Sequence, residues 1–388
     1  MKKSFLLLFL ISAAFSLSAQ GIEFFQGTWA EALEEARRQD KILFVDAYAV
    51  WCGPCKRMSK NVFPNDKVGA FYNKNFVNLK IDMEHGDMDF RRKYPVSAYP
   101  TMYYIDYDGE VVHKVASAMD VEAFIKLGET ALSKIDRSKD FVVAYEDGNR
   151  DPELVYDYVK ALNKVGKPSL AISNEYLRGQ SDLSTPENLR FILEAAIESD
   201  SRIFDLLIDN RRAIEQLEGE TAVFDRIELA CNNTLGKAIE YQSVELLEEA
   251  KGKMKIHHRR EQAEMFALKA DRDYARSAGE VDAYIKACSA FVKKVGKNNS
   301  KELFSLAREA EAVFPDSGDA IRSAEKWAGM AAKNSEDYTV HYTYARLLLR
   351  NGKHKEALKA ANQAKDYAEN GPRGAADMVE ELIRKISG

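Results

Sequence analysis

Two cysteines separated by two residues, in the sequence Cys52-Gly53-Pro54-Cys55, are the side chains best suited to chemistry in this protein. They follow a pattern typical of a buried strand and open a helical pattern. The sulfur of Cys52 should therefore lie near backbone N–H groups that have no partner within the helix. Those donors and the helix dipole stabilise a thiolate and lower its pKa. Cys55 comes one turn later, where we expect a more buried and less acidic thiol.

This asymmetry predicts dithiol–disulfide exchange. Cys52 attacks a substrate disulfide to form a mixed disulfide, and Cys55 then attacks Cys52 to release the reduced product. Cysteine pairs with this spacing also occur in zinc sites, but no second pair or histidine follows at metal-binding spacing. We therefore expect neither a metal nor any cofactor besides the redox-active Cys52–Cys55 disulfide.

Three further residues fit this chemistry. Asp46 lies on the preceding strand and points inward, where a buried carboxyl group of raised pKa takes the Cys55 proton. The alternative is a strand-end aspartate that only forms local hydrogen bonds. Trp51 is expected to pack beside the active-site loop and to offer substrates a flat apolar surface. Pro100 follows Tyr99 and precedes a strand, as in a cis-proline loop that leaves a backbone edge free for an extended substrate.

The pattern around these residues alternates between helix and strand from about residue 24 to 135. A capping box of Thr28 and Glu31 starts the first helix, and further helices are predicted from Pro54, over 87–94, and from Asp120 onward. Strands are predicted over 41–48, 76–82, 101–106 and 111–115. This order predicts an α/β domain with a mixed central sheet flanked by helices, over residues 21–137.

The run from Phe44 to Lys56, followed downstream by Tyr99-Pro100-Thr101, resembles the thioredoxin family. The segments 61–66 and 75–77 resemble one branch of that family. This branch contains the soluble C-terminal domain of transmembrane thiol reductases and related bacterial secreted thioredoxin-like proteins. The resemblance is specific at the cysteines and does not reach the helical region that follows.

The resemblance implies the thioredoxin fold, a Cys52–Cys55 redox pair, Asp46 as the buried acid and Pro100 as the cis-proline. It also implies that a membrane thiol reductase supplies electrons. The family's usual lysine opposite the acid aligns with Asn78, while Lys80 lies two places on, so the partner of the acid is left open. We predict substrate contacts at five positions: Trp51, Gly53, Pro54, Tyr99 and Pro100.

Residues 138–388 show helix after helix and almost no strand signal. Breaks are predicted near 166–168, 184–186, 252, 296–299, 314–318, 351–352 and 371–372. The segment from Tyr338 to Glu369 looks like a tetratricopeptide-type hairpin. This predicts an all-α, tetratricopeptide-like domain of one or two subdomains. Such a surface typically binds a protein partner, and the alternative is a scaffold or dimerisation element.

Two groups of residues in this helical region could suggest additional chemistry. Cys231 and Cys288 lie far apart, and we interpret them as free core thiols, with a structural disulfide as the alternative. His257 and His258 invite a metal proposal, but adjacent side chains diverge on a helix. We therefore expect a solvated surface patch there.

The first 20 residues are typical of a cleaved signal peptide. Lys2 and Lys3 precede an apolar run from residue 5 to 15, and small residues follow at Ser18 and Ala19. An uncleaved membrane anchor is the alternative. The formal net charge of −5 argues against nucleic acid as a partner, since binding phosphates requires a basic face.

The sequence thus favours a periplasmic or secreted oxidoreductase that reduces the disulfides of protein substrates. The Gly-Pro dipeptide between the cysteines resembles reducing thioredoxins. Two alternatives stay open. One is a helical adaptor with an auxiliary redox domain, and the other is a disulfide isomerase or oxidase.

Overall fold

The computed structural model describes residues 21–296, 298–369, 371–372 and 374–388. The predicted signal peptide, residues 1–20, lies outside this range. The chain divides into two compact units, one ending at Pro168 and one covering Ser169–Gly388. Among the described residues, no helix is both long enough and apolar enough to cross a membrane.

The first unit is built on a sheet of four strands, which confirms the predicted strands to within one residue at each end. The strands are β1 (Ile42–Tyr48), β2 (Phe76–Asp82), β3 (Thr101–Ile105) and β4 (Val111–Ala116). Their order is β2-β1-β3-β4, with β1 parallel to β2 and antiparallel to β3, and β3 antiparallel to β4. The sheet is therefore mixed, as the sequence predicts.

Helices cover both faces of this sheet. One face packs against α1 (Trp29–Arg38) and α4 (Met88–Lys93), and the other packs against α2 (Gly53–Asn61), α3 (Asp66–Asn75) and α5 (Val121–Ser133). Two further helices of this unit follow, α6 (Lys139–Glu146) and α7 (Pro152–Lys164). Because side chains alternate along a strand, β1 contributes to two cores. Leu43 and Val45 pack in one core with Trp29, and Phe44 packs in the other with Phe124. Strand β1 is thus a central strand buried on both faces, and it fixes where the loop carrying the cysteines begins.

Local capping explains where the helices start. Thr28 and Glu31 form the predicted capping box of α1, and Asp120 caps α5. Helix α3 was not predicted as a separate element, although Asn65 caps it by accepting from the backbone N–H groups of Lys67 and Val68. The Asn65 cap is the signal in the sequence that could have identified this helix.

Helices α6 and α7 belong to the sheet unit, whereas the sequence analysis placed residues 138–168 with the helical region. Arg137 lies 3.0 Å from Asp40, and Lys139 lies 3.5 Å from Asp106. Asp40 precedes β1 and Asp106 follows β3. Because these strands are antiparallel, both ion pairs lie at the end of the strands opposite the loop that carries the cysteines.

The second unit is entirely helical in the residues that the structure describes. Its helices are α8 (Leu170–Arg178), α9 (Pro186–Ala195), α10 (Arg202–Asp209), α11 (Arg211–Glu218), α12 (Glu220–Glu240), α13 (Val244–His257), α14 (Arg260–Ala278), α15 (Val281–Val295), α16 (Ser300–Val313), α17 (Gly318–Ala332), α18 (Tyr338–Arg350), α19 (His354–Ala368) and α20 (Ala375–Ser387). The predicted hairpin is α18 and α19, and Gly352 adopts a φ of 75° in the turn between them.

One predicted break is wrong. Helix α13 runs through Gly252 without interruption. A glycine inside a helix costs only about 1 kcal/mol relative to alanine. Leu247, Ala250 and Met254 are all buried along the same helix, and their packing outweighs that cost.

Candidate functional site

The two cysteines lie where β1 gives way to α2. Cys52 is the N-cap residue of α2, and its sulfur accepts the backbone N–H of Cys55 at 3.1 Å. The structure shows the pair oxidised, with an S–S distance of 2.02 Å and 5.3 Å between the Cα atoms. The helix N-terminus therefore presents a hydrogen-bond donor to Cys52, as predicted.

Apolar side chains surround the disulfide. Cys52 and Cys55 are 2% and 3% exposed, so the expectation that Cys55 is the more buried of the two is wrong, and both cluster with buried Ala49. Tyr48 and Tyr99 pack against the same cluster. The disulfide is therefore shielded from solvent on the side of these two rings.

Trp51 lies on the surface next to the cysteines and is 63% exposed. Its ring meets the ring of Tyr99 edge-on, with 5.5 Å between the centroids. Its indole N–H donates to a carboxylate oxygen of Glu84 at 2.8 Å. Glu84 was missed by the sequence analysis, because no motif links a residue beyond β2 to this tryptophan. Together these contacts hold a flat apolar surface beside the disulfide.

The remaining predicted substrate-contact residues also lie around the disulfide. The peptide bond between Tyr99 and Pro100 is cis, as predicted. Gly53 is exposed, and a Cβ atom placed there would meet no other atom within 4 Å. Pro54 is half-buried in the first turn of α2. The surface in front of Cys52 is thus free of protruding side chains at Gly53.

Asp46 lies on β1 and is only 1% exposed, which confirms that its side chain points inward. Neither of its carboxylate oxygens has a hydrogen-bond partner within 3.5 Å among the residues that the structure describes. Burial raises the pKa of Asp46 to about 6, and the nearby ammonium group of Lys80 limits that rise. A carboxyl group of this kind exchanges its proton near neutral pH.

Lys80 is the partner of Asp46, which answers the question that the sequence left open between Lys80 and Asn78. In the parallel pairing of β1 with β2, Asp46 stands beside Lys80 and Phe44 beside Asn78. The distance from Lys80 Nζ to an Asp46 carboxylate oxygen is 3.6 Å. Asn78 instead donates to the backbone carbonyl of Glu23. The register of the sheet, which local sequence does not reveal, settles the partner.

Several groups hold the ammonium of Lys80 in place. Its Nζ donates to the Ser59 hydroxyl at 2.8 Å. It also lies 5.0 to 5.4 Å from the centroids of three aromatic rings, which attract a cation through their π-faces. These rings belong to Phe24, Tyr48 and Phe63.

An open cleft of about 410 Å³ reaches Cys55 from the side of Lys80. Tyr48, Ala49 and Val50 line one part of it. Ser59 and three lysines complete the lining, namely Lys56, Lys60 and Lys80. The cleft thus connects the second cysteine to the residue that is paired with Asp46.

The other residues considered from the sequence do not join this site. Cys231 and Cys288 are free and buried, which confirms that they are core thiols. His258 is buried against the ring of Phe224, so the prediction of a solvated patch is wrong there. Within the described ranges, no group of three or more histidines, cysteines or acids is placed to hold a metal ion.

Comparison with known proteins places the sheet unit in a family. A family model described as thioredoxin-like matches residues 24–106. Thioredoxin-1 of Saccharomyces cerevisiae is 38% identical over 90 residues, which cover 23% of this chain and 81% of that protein. The thiol:disulfide interchange protein DsbD of Pseudomonas fluorescens is 30% identical over 99 residues, which cover 24% of this chain but only 17% of that protein.

A solved structure is also similar to this chain. The solution structure of a "putative disulphide-isomerase" from Bacteroides thetaiotaomicron is 45% identical, with a TM-score of 0.27. The match covers 29% of this chain and 94% of that one. From the sequence matches and the oxidised Cys52–Cys55 pair at a helix N-terminus, we conclude that this chain belongs to the thioredoxin family, as a thioredoxin-like thiol–disulfide oxidoreductase.

Proposed function

We propose that this protein is an exported thiol–disulfide oxidoreductase that reduces the disulfides of protein substrates. The observation that carries the proposal is the position of Cys52 at the N-cap of α2, where its sulfur accepts the backbone N–H of Cys55. A hydrogen bond from an N–H group and the helix dipole both favour the thiolate over the thiol. Cys52 is therefore the attacking sulfur, and Cys55 is the resolving one.

The cycle starts from the reduced pair. The Cys52 thiolate attacks one sulfur of a substrate disulfide, forms a mixed disulfide and expels the other substrate sulfur as a thiolate. Cys55 loses its proton and attacks Cys52 Sγ, which expels the second substrate thiolate. Two electrons pass from the cysteine pair to the substrate, and the Cys52–Cys55 disulfide remains. The cycle needs no cofactor besides this disulfide.

Asp46 takes the proton of Cys55 in this scheme. Its carboxyl group is buried and its pKa is raised to about 6, so it can accept and return a proton near neutral pH. Lys80 lines the cleft that reaches Cys55 and lies 3.6 Å from Asp46, which supports a connection between the thiol and the carboxyl group. Lys80 also stabilises the carboxylate form through its charge.

Substrates bind in front of the disulfide. Trp51 and Tyr99 provide the apolar surface, and Gly53 and Pro54 leave room in front of Cys52. The loop at Pro100 lies beside the cysteines through Tyr99, where an extended substrate chain can pair with its backbone.

The direction and location of the reaction follow from the motif and from the relatives. The Gly-Pro dipeptide favours a reducing pair. The similarity to a thiol:disulfide interchange protein supports a membrane thiol reductase as the electron donor in the periplasm. A cleaved signal peptide over residues 1–20 would bring the protein to that compartment. Sequencing the N-terminus of the exported protein tests this part directly.

We also propose that the helical unit recruits a protein partner. The test compares the full chain with a chain ending at Pro168, on a protein disulfide and on a small peptide disulfide. Recruitment predicts slower turnover of the protein substrate only. Equal turnover of both substrates by the two chains would contradict it.

The roles of the cysteines are tested by trapping. A Cys55→Ser variant of the full chain should accumulate a mixed disulfide with substrate proteins through Cys52, because nothing resolves it. A Cys52→Ser variant should not, and Cys231→Ser in the Cys55→Ser background serves as the matched control that still traps. If Cys52→Ser traps substrates as well as Cys55→Ser does, the assignment of the attacking thiol is wrong.

A further inference from the structure

We propose that the cleft beside Cys55 docks an extended segment of the protein substrate, which carries acidic side chains next to the cysteine of its disulfide. This inference rests on the proposed function and specifies the chemistry of the substrate. The evidence is the charge, the exposure and the apolar wall of the cleft.

The charge is concentrated on α2. Residues 53–61 contain Lys56, Arg57 and Lys60 and no acidic residue, although the whole chain has a formal net charge of −5. Lys56 and Lys60 line the cleft, and both are exposed. Neither lies within 4.0 Å of a carboxylate oxygen in the described part of the chain. Their charges are therefore available to a partner.

Lys80 adds a third ammonium group at the inner part of the cleft. It is half-buried, with 28% of its side chain exposed, and Ser59 and the aromatic rings hold it in place. Among the described residues, its ammonium group lies within 4.0 Å of one carboxylate, that of the buried Asp46. Lys80 therefore adds positive charge at the inner end of the cleft, next to the two exposed lysines.

The apolar wall of the cleft favours a protein segment over a free anion. Tyr48, Ala49 and Val50 line the cleft, and Val50 is 53% exposed. Trp51 extends this apolar surface past the disulfide. A glutamate side chain fits such a wall, because its carbon stem contacts apolar atoms while its carboxylate reaches the lysines. Val50 and Trp51 directly precede Cys52 in the chain, so this apolar surface adjoins the attacking cysteine.

The test uses three disulfide-bonded peptides that differ only beside the cysteine, where they carry glutamate, glutamine or lysine. The reduced full chain is mixed with each peptide, and the rate constant for oxidation of the cysteine pair is measured. We expect the glutamate peptide to react about tenfold faster than the glutamine peptide at about 0.01 M salt, where charges act over about 30 Å. The preference should nearly vanish at about 1 M salt, where the screening length is about 3 Å.

Two double variants locate the effect. Lys56→Gln with Lys60→Gln should reduce the glutamate-to-glutamine rate ratio to within about twofold. Lys67→Gln with Lys74→Gln removes the same charge from exposed positions of α3 and should keep the full ratio. The ratio is the readout because it cancels any change in the reactivity of the cysteines.

The outcomes separate the two proposals. Equal rates for the three peptides in the unmodified protein would overturn the docking proposal and leave the proposed function intact. An unchanged ratio in the Lys56→Gln, Lys60→Gln variant would also overturn it. If none of the peptides oxidises the cysteine pair, both the proposed function and the docking proposal are wrong.

Discussion

The two units of this protein each contain a pair of buried cysteines, and the pairs differ in everything except burial. Cys52 and Cys55 form a disulfide at the start of α2, whereas Cys231 and Cys288 are free thiols. All four side chains are at most 3% exposed. Burial alone therefore does not separate a redox cysteine from a core cysteine.

The backbone around each sulfur makes the difference. Cys52 caps a helix, where N–H groups have no partner within the helix. Cys231 and Cys288 lie inside α12 and α15, where backbone N–H groups are bonded to carbonyls of the preceding turn. Burial raises the pKa of Cys231 to about 11 and that of Cys288 to about 12. We therefore expect a reactive thiol at the helix start, whereas the raised pKa values leave the two core thiols little thiolate.

The largest expected effect is on turnover. Cys52→Ser should lower the rate of disulfide reduction by at least about 10³-fold, the scale on which loss of an enzymatic nucleophile acts. Cys231→Ser combined with Cys288→Ser should leave the rate within about twofold. The measurement is reduction of insulin disulfides by the full chain, with dithiothreitol as the electron source. Comparable losses of reduction rate in both variants would show that the core cysteines also take part in turnover, which would contradict this prediction.

The alkylation rates of the four cysteines test the same difference between the two pairs. At pH 7 we expect iodoacetamide to modify Cys52 of the reduced protein first, and Cys231 and Cys288 more than about 10³-fold more slowly. The reason is that the thiolate is the reactive form, and raised pKa values leave little of it in the core. Mass spectrometry of digested samples gives the rate for each cysteine. Rapid modification of Cys231 in the folded protein would contradict the account, and the unfolded protein, in which all four react, is the control.

Asp46 should make the free energy of unfolding of the sheet unit depend on pH. Its pKa is raised from the usual value near 4 to about 6, so the folded protein binds the proton more tightly than the unfolded chain. Burying the carboxylate therefore destabilises the fold above pH 6, and this cost disappears as the pH falls from 6 towards 4. Asp46→Asn should stabilise the oxidised unit at pH 8 by an amount on the order of 3 kcal/mol, and by little at pH 4.

Hydrogen exchange of β1 measures this effect within the full chain. Lys80→Met is a second test of the same pKa. Loss of the ammonium group should raise the pKa of Asp46 further, so the change in stability should occur at a higher pH. A stability gain of the same size at pH 4 and pH 8 would show that Asp46 binds its proton equally well in the folded and unfolded protein, which would contradict the raised pKa.

The smallest expected effect concerns the boundary between the units. A chain ending at residue 168 should unfold at higher urea than one ending at residue 137. The longer chain keeps the ion pair of Lys139 with Asp106 and that of Lys167 with Asp136. Exposed ion pairs contribute about 0.2–1 kcal/mol each, so the gain should be about 1 kcal/mol. Identical urea midpoints for the two chains would show that α6 and α7 do not stabilise the sheet unit and would contradict this prediction.

Much of the sheet unit could be predicted from the sequence because its signals are local. The strand ends, the capping box at Thr28 and the cysteines at a helix start all depend on neighbouring residues. The partner of Asp46 could not be predicted this way. It depends on the register between β1 and β2, and shifting that register by two residues exchanges Lys80 for Asn78 on the same face.

The helical unit is harder to predict from the sequence than the sheet unit. The predicted breaks include those near 184–186 and 351–352 but miss several others, such as 241–243 and 333–337. Gly252 does not break α13, because packing along this helix outweighs a weak local preference. His258 was placed in solvent because nothing near it in sequence indicates that the ring of Phe224 covers it. Contacts between distant helices decide such positions.

The most direct test of the central claim is the reduction potential of the Cys52–Cys55 pair, measured by equilibration of the full chain with dithiothreitol, with Cys52→Ser as the control. We predict a reversible couple near the potential of reducing thioredoxins, about −270 mV, which Cys52→Ser abolishes. A potential of about −120 to −180 mV would contradict the reductase assignment and indicate an oxidase or isomerase.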